Sequence, residues 1–228
     1  MSIKGYLSNL KNGNTGTASD LKFVCEQEQS NEVIARTGKS VGFDFGLKTF
    51  LTASDDKDIE SPLFFKQNSN AIQKSNRELS RKKKGSANRK RTRLELARLH
   101  NKIANQRKDF HFKLARNLSG EYAVICIEDL NMKAMQKLCG RKISDLGFSN
   151  FVKILEYQAS KTGSQVVKIP RFYPSSKTCS VCGLVLDELP LKVRQWTCAD
   201  CGTEHDRDKN AAINILRVGA STLLGEAM

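Results

Sequence analysis

The stretch SVGFDFGLKTFLTAS (residues 40–54) alternates along its first half. Val41, Phe43 and Phe45 fall on one face of an extended chain, and Gly42, Asp44 and Gly46 on the other, because successive side chains of a strand point to opposite sides. The chain then turns into a hairpin partner at Thr49–Ala53, and the acidic SDDKD makes the next turn. An acid inside a strand is unfavourable unless something pairs with it. A turn or edge position is the plain alternative for Asp44.

Further along the chain, EYAVICIEDLN (residues 121–131) reads as a second strand. The apolar run from Tyr122 to Ile127 suits a strand covered on both faces, and it ends in Glu128 and Asp129, which could equally begin a loop. Residues 144–163 form an amphipathic helix with a stripe of Phe148, Phe151, Val152, Leu155 and Ala159. Ser144 or Asp145 is the expected cap and Gly163 the stop. SQVVKIP (residues 164–170) is a further strand. Strands alternating with helices imply an α/β domain. Residues 1–40 are polar and turn-rich, with one candidate strand at LKFVCEQ (residues 21–27).

Between the first two strands the period changes. Leu96, Leu99, Ile103, Phe110, Leu114 and Leu118 recur at helical steps, with Leu79 and Leu94 upstream. KKKGSANRK interrupts the pattern, so residues 66–118 predict an antiparallel helical hairpin. From Arg77 to Arg116 there are fifteen Lys/Arg and three acids. A charge run is ordinarily a solvated face, but an imbalance of this size repels itself and favours a phosphate-binding face. Arg81, Lys82, Lys83, Lys84, Arg89, Lys90, Arg91 and Arg93 are the candidate contacts, expected to touch phosphates without reading bases. The whole chain of 228 residues carries a net charge of +14, which points to a polyanionic partner, nucleic acid ahead of an anionic membrane surface. No apolar run approaches the length that spans a bilayer. The N-terminus lacks the apolar core of a secretory signal.

Four of the seven cysteines form two C-x-x-C pairs, Cys179/Cys182 and Cys198/Cys201, with fifteen residues between them. This spacing predicts a tetrahedral four-thiolate zinc site with no open position, hence structural. Leu184–Leu186 and Arg194–Thr197 are the candidate strands of a small ribbon. A redox disulfide pair or an iron–sulfur site is the alternative. Cys126 reads as a small buried apolar residue, and Cys25 and Cys139 carry no signal. Trp196 is expected to pack on the ribbon. His205 is a weak candidate for contact with the metal site, and His100 and His111 read as ordinary helix residues.

Asp206 and Asp208 precede the Ala-rich KNAAINIL, where either could be an N-cap. If the strands of Asp44 and Glu128 are neighbours and the last helix packs across them, three carboxylates converge. They repel one another unless cations sit between them. Mg²⁺ prefers such oxygen ligands, and two such ions can drive phosphodiester hydrolysis.

Seven segments then occur in order: GFDFGLKTFLT, the basic run from LSRKKKGS to KLARNL, ICIEDLN, ISDLGFSNF, RFYPSSKTCSVCG, WTCADCG and HDRDKNAAINIL. As an ordered set they resemble the TnpB (OrfB) family of bacterial insertion sequences, itself similar to type V CRISPR effectors, over residues 41–217. The resemblance implies an α/β fold, an RNase H-like RuvC nuclease domain with a basic helical-hairpin insertion and a four-cysteine zinc ribbon insertion. It implies nuclease segments over 41–175, a ribbon over 176–204, a final helix over 205–220 and a tail over 221–228, with 1–40 as the remnant of an N-terminal wedge. It also implies a Mg²⁺-dependent DNA endonuclease guided by an RNA from the element's own end, in a prokaryotic cytoplasm at the nucleoid. Asp44 and Glu128 take the first two acidic positions. Asp208 takes the third, with Asp206 as the alternative, and the four cysteines take the zinc. The family usually carries a longer segment before its first acid, so target recognition is where this chain departs. The competing expectations are a nucleic-acid binder without catalysis and an inert relic. A conventional cut-and-paste transposase is disfavoured, because Tyr6, Tyr122, Tyr157 and Tyr173 lie in packing contexts.

Overall fold

The computed structural model describes residues 38–130, 140 and 143–225. The candidate strand at residues 21–27, Cys25 and Cys139 lie outside them, as do nearly all of 1–40 and the last three residues. Two compact units emerge, one holding Asn68–Lys102 and the other the described residues on either side of that segment.

The larger unit is mixed α/β. Strands β1 (Ser40–Phe45), β2 (Thr49–Ala53), β3 (Ile59–Glu60), β4 (Val124–Glu128) and β5 (Gln165–Ile169) form one sheet in the order β3-β2-β1-β4-β5. The β1–β2 hairpin pairs antiparallel, with Asp44 opposite Thr52. β1 and β4 pair parallel, with Phe43 beside Ile127, and β4 and β5 likewise. Helix α4 (Phe148–Thr162) makes the crossover between the last two. Short helix α1 (Phe64–Gln67) precedes the basic region, and α5 (Arg207–Leu224) closes the chain.

The alternation in residues 40–45 sorts the two faces. Val41, Phe43, Phe45, Ile125 and Ile127 pack with Phe148, Phe151 and Leu155 of α4 and with Ala115 and Leu118 from the preceding long helix. Cys126, Val167 and Ile169 pack on the opposite face with Ile215 and Val218 of α5. Asp44 and Glu128 share that second face with Gly42 and Cys126, by period two.

Gly42 is where α5 comes closest. A Cβ there would lie 2.3 Å from the Ala212 carbonyl oxygen and 2.5 Å from the Leu216 nitrogen, both backbone. Further along α5, a Cβ on Gly219 would lie 2.3 Å from Cys126 Sγ. At Gly42 the strand meets helix backbone directly, and at Gly219 the helix backbone closes on the Cys126 side chain. Gly42→Ala is expected to destabilise the fold by about 1–3 kcal/mol, as overpacking does, because the atoms it meets are helix backbone. Urea titration would measure this, and an unchanged midpoint would mean that α5 is not seated as described.

Two local expectations are corrected. Neither Ser144 nor Asp145 caps α4; Gly147 occupies the cap position in a left-handed conformation with no side-chain cap bond. Asp145 is buried and accepts from the Phe65 amide at 3.1 Å and from Arg107 Nη2 at 3.1 Å. A buried carboxylate is held better by a guanidinium and an amide than by a loose cap. His111 is not an ordinary helix residue: it is wholly buried. Its Nε2 donates to the Leu146 carbonyl at 3.0 Å, and its ring stacks on Phe50 at 5.8 Å. Burial pushes its pKa down to about 4, so it stays neutral.

In the smaller unit, α2 (Ser69–Arg81) and the first part of α3 (Ala87–Glu121) are joined by a short turn. α3 begins inside the expected interruption, because Ser86 Oγ accepts from the Arg89 amide and opens the helix. Among the described residues no helix is long and apolar enough to cross a membrane.

Candidate active site and metal centre

β1 and β4 run parallel, and their register places Asp44 and Glu128 one step beyond the Phe43–Ile127 pair. Both side chains therefore leave the strand ends at the same level. Asp208 lies in the first turn of α5, which packs over this face. Burial raises the Asp44 pKa well above the usual carboxylate range, and the charges of Glu128 and Asp208 raise it further. Asp44 thus lies in the field of both other acids, opposed by a backbone hydrogen bond at Phe45 and by the Arg207 charge. Burial also raises Glu128, opposed by a hydrogen bond from the Ser175 hydroxyl.

Asp206 does different work from Asp208. Its Oδ1 accepts from the amides of Asp208 at 3.1 Å and Lys209 at 3.0 Å, which makes it the N-cap of α5. Asp208 is gripped by Arg194, whose Nη1 donates to both carboxylate oxygens at 3.0 and 3.2 Å. Lys209 Nζ donates to the Ala53 carbonyl at 2.8 Å and pairs with Asp56, which ties the start of α5 to the end of β2.

The four cysteine sulfurs lie within 4.8 Å of one another. Cys179 Sγ is 3.7 Å from Cys201 Sγ, and Cys182 Sγ is 3.5 Å from Cys198 Sγ. A tetrahedral site with Zn–S bonds of about 2.3 Å has sulfurs roughly 3.8 Å apart, so the group could hold a zinc-sized ion. Hydrogen bonds from Thr203 lower the Cys201 thiol, whereas burial and the neighbouring thiols raise that of Cys182; a bound cation would favour thiolate at all four. Trp196 packs against Cys179 and Cys198. His205 Nε2 lies 3.1 Å from Cys179 Sγ, and its ring lies 4.6 Å from that of Trp196, so it touches the sulfur cluster.

The ribbon pairs differently from expectation. β6 (Gln195–Thr197) pairs with β7 (Glu204–Asp206), Trp196 beside His205. Leu184–Leu186 contributes only the bridge between Val185 and Thr178. Each knuckle folds onto its own flanks: the Gly183 amide reaches the Cys179 carbonyl, and the Gly202 amide reaches the Cys198 carbonyl, both at 3.0 Å. A short loop closes at less entropic cost than the long one between the pairs. β7 then runs directly into α5 at Arg207.

The residues that tie ribbon to acids are not among those singled out from the sequence. Asn210 Nδ2 donates to the Thr178 carbonyl at 2.7 Å, and its Oδ1 accepts from the Ser180 amide at 3.0 Å. Asn214 Nδ2 donates to the carbonyls of Ser175 at 2.9 Å and Thr178 at 2.7 Å. Both are buried. Two asparagines four residues apart on an otherwise apolar helix face were a signal that could have been read. Ser175 and Arg194 gave none.

In the smaller unit, Arg81, Lys83, Lys84, Lys90, Arg91 and Arg93 are exposed. Lys82 and Arg89 are partly spent on the turn. Lys82 Nζ donates to Thr92 at 2.6 Å, and Arg89 Nη1 donates to the carbonyls of Leu79 at 2.6 Å and Lys82 at 3.1 Å.

Comparison with known proteins gives concordant matches. Residues 22–138 match the OrfB_IS605 family, described as "Probable transposase". Residues 148–215 match the Cas12f1-like TNB domain. A Streptomyces pristinaespiralis protein named "Putative RNA-guided DNA endonuclease" is 42% identical over 84% of this chain and 48% of its own length. TnpB-like protein L79 of Acanthamoeba polyphaga mimivirus is 33% identical over 79% of this chain and 37% of its own. This chain therefore spans less than half the length of either relative. A cryo-EM structure of a Cas12f1–sgRNA–target DNA complex has a chain that matches with a TM-score of 0.55 at 18% identity, over 86% of this chain and 52% of that one. At that identity the likeness concerns the fold alone.

Proposed function

The chain belongs to the OrfB_IS605 transposase family of TnpB-like proteins, and on that basis we propose that it is a metal-dependent, RNA-guided DNA endonuclease with a RuvC-type site. Asp44, Glu128 and Asp208 are its catalytic acids. The basic hairpin and the Cys179/Cys182/Cys198/Cys201 zinc ribbon are insertions into the nuclease domain. The reading rests on one observation: the register of β1 and β4 levels Asp44 with Glu128, and α5 packs over that face with Asp208 in its first turn, where the charges of Glu128 and Asp208 both raise the Asp44 carboxyl. A fold that held three acids together without use would bear that repulsion for nothing.

Asp44, Glu128 and Asp208 offer carboxylate oxygens of the kind that a hard divalent cation takes, with Asp208 paired to Arg194 and Glu128 accepting from Ser175. Mg²⁺ held by these acids would supply Lewis acidity to a scissile phosphodiester. The chain's own residues do the positioning. The parallel register of β1 and β4 levels Asp44 with Glu128. Ser175 orients the Glu128 carboxylate by a hydrogen bond. Arg194 fixes Asp208 from the ribbon side, and Lys209 holds the first turn of α5 against β2.

The test incubates the zinc-loaded chain with labelled single-stranded DNA and Mg²⁺, beside Asp44→Ala and Glu128→Ala. Cutting is expected from the parent and a loss of about 10³-fold or more in each variant, in line with the removal of a group acting directly on the reacting centre. Cutting that survives both substitutions, or no cutting by a folded parent, removes this reading in favour of a binding protein.

The hairpin's share is phosphate contact. Replacing Lys83, Lys84 and Arg91 by Gln is expected to weaken binding to all sequences alike. It should also flatten the salt slope by roughly 0.7 per lost contact on single strands. A sequence-selective loss would contradict that role.

A further inference from the structure

Phe172 is 92% exposed, the most exposed large apolar side chain among the described residues. Exposure of this kind is ordinary in a loose loop, but the loop carrying Phe172 is not loose. Before it, Arg171 donates from Nε to the Asp129 carbonyl at 3.0 Å and from Nη2 to Asp129 Oδ2 at 2.7 Å. After it, the Tyr173 amide donates to the Pro170 carbonyl at 3.1 Å, and the Ser175 amide to the Tyr173 carbonyl at 2.8 Å. The Tyr173 ring packs into the core shared by β4, β5 and α5. The Ser175 hydroxyl reaches Glu128, and its carbonyl is held by Asn214 at 2.9 Å. Residues 171–175 are therefore fastened on both sides of Phe172 to the Glu128–Asp129 pair. They hold one ring in water beside a candidate catalytic acid. Glu128 and Asp129 also line an open cleft with Phe45, Val152 and Lys153 on the α4 side of the sheet, where Lys168 pairs with Glu156.

We propose that Phe172 is a substrate-binding residue that stacks on a base of single-stranded DNA next to the bond to be cut. The proposal rests on the nuclease reading for its location and on the anchored loop for its chemistry. Every base offers a π-face, so an aromatic ring on a rigid support binds single strands without sequence preference. The acids at the strand ends cannot hold a polyanion by themselves. A ring fixed beside them gives the strand a neutral grip where phosphate is repelled. Arg171 is already spent on Asp129, so its role is to position the loop.

The experiment measures binding of a fluorescein-labelled single-stranded DNA by the full chain in an Asp44→Asn background, where cutting does not interfere. Phe172→Ala is expected to weaken binding about 10-fold, as the loss of one stacked base does. Phe172→Leu, apolar but without a π-face, should weaken it similarly, and Phe172→Trp should restore it. The introduced indole should be quenched on binding, against a Trp196 that lies buried in the ribbon. An oligonucleotide made abasic throughout should erase the difference between Phe172 and Ala. In the Asp44 parent, Phe172→Ala should raise KM more than it lowers kcat. Unchanged affinity in Phe172→Ala, full retention by Phe172→Leu, or absence of single-strand binding would each overturn the proposal. If the parent does not cut but binding still depends on the ring and the base, the nuclease reading fails and the stacking stands. If the parent cuts and the ring is irrelevant, the reverse holds.

Discussion

Asp44→Asn should make the cation-free protein more stable while it removes cutting. Asp44 is a carboxyl whose folded-state pKa is raised by burial first and by Glu128 and Asp208 next. A carboxyl raised in the folded state binds protons there that the unfolded chain has already released, so stability falls as pH rises from the unfolded pKa towards the folded one. The cost grows with pH across that window. Asparagine has nearly the same shape and no charge, so the variant escapes it. A rise of a few degrees in Tm is expected in chelator at pH 7, since about 1 kcal/mol shifts Tm by roughly 2–4 °C in a domain of this size. The gain should shrink as pH falls below about 4, where Asp44 is protonated in both states. Saturating Mg²⁺ should reverse the order. A cation bound at 100 times its Kd stabilises the parent by about 2.7 kcal/mol, and the variant should lose most of that. Scanning calorimetry with and without Mg²⁺ reads all three effects. A variant that melts below its parent in chelator would mean that Asp44 is satisfied by partners other than a cation.

The second large effect concerns zinc. Cys198→Ser should abolish zinc binding, loosen the ribbon and lower cutting by at least about 100-fold, the order expected when reacting groups shift by about an ångström. Structural zinc sites bind with about 10–16 kcal/mol in small peptides, far more than the short β6–β7 pair could supply by itself. The consequence reaches the acids by two routes. Arg194 immediately precedes β6 and grips Asp208. Thr178 and Ser180 flank Cys179 and are held by Asn210 and Asn214 on α5, next to the Ser175 that orients Glu128. Zinc content, the near-ultraviolet signal of Trp196 and cleavage should fall together. Cleavage that persists in a zinc-free variant would show that the ribbon does not position the acids.

Features fixed by neighbours along the chain are legible in the sequence. The alternation of Val41, Phe43 and Phe45 marks β1, with Phe50 and Leu51 on its hairpin partner. Gly163 ends α4 in the left-handed conformation that a β-carbon disfavours. The spacing of the two cysteine pairs predicts a four-sulfur cluster, because a C-x-x-C turn is a local object whose geometry three residues set. The break between two basic helices follows from a period and an interruption.

Partners distant in sequence leave no periodic trace, and the remaining features depend on them. Asp145 could have capped a helix, but Arg107 and the Phe65 amide, 38 and 80 residues away, hold it instead. His111 looks like any helix residue until Phe50 and Leu146 enclose it. Leu184–Leu186 bridges back to Thr178 through Val185, while β6 pairs with β7 instead. Asp206 and Asp208 both stand as candidates in the sequence. Only the seating of α5 on Gly42 separates them, by giving Asp206 to the cap and Asp208 to the field of Asp44. The order of residues alone dictates which acids and thiolates the protein carries and which local elements present them. The placing of Asp208 over the face of Asp44 and Glu128 depends on α5 crossing the sheet at Gly42, where a β-carbon would meet helix backbone, and that is a property of the folded chain.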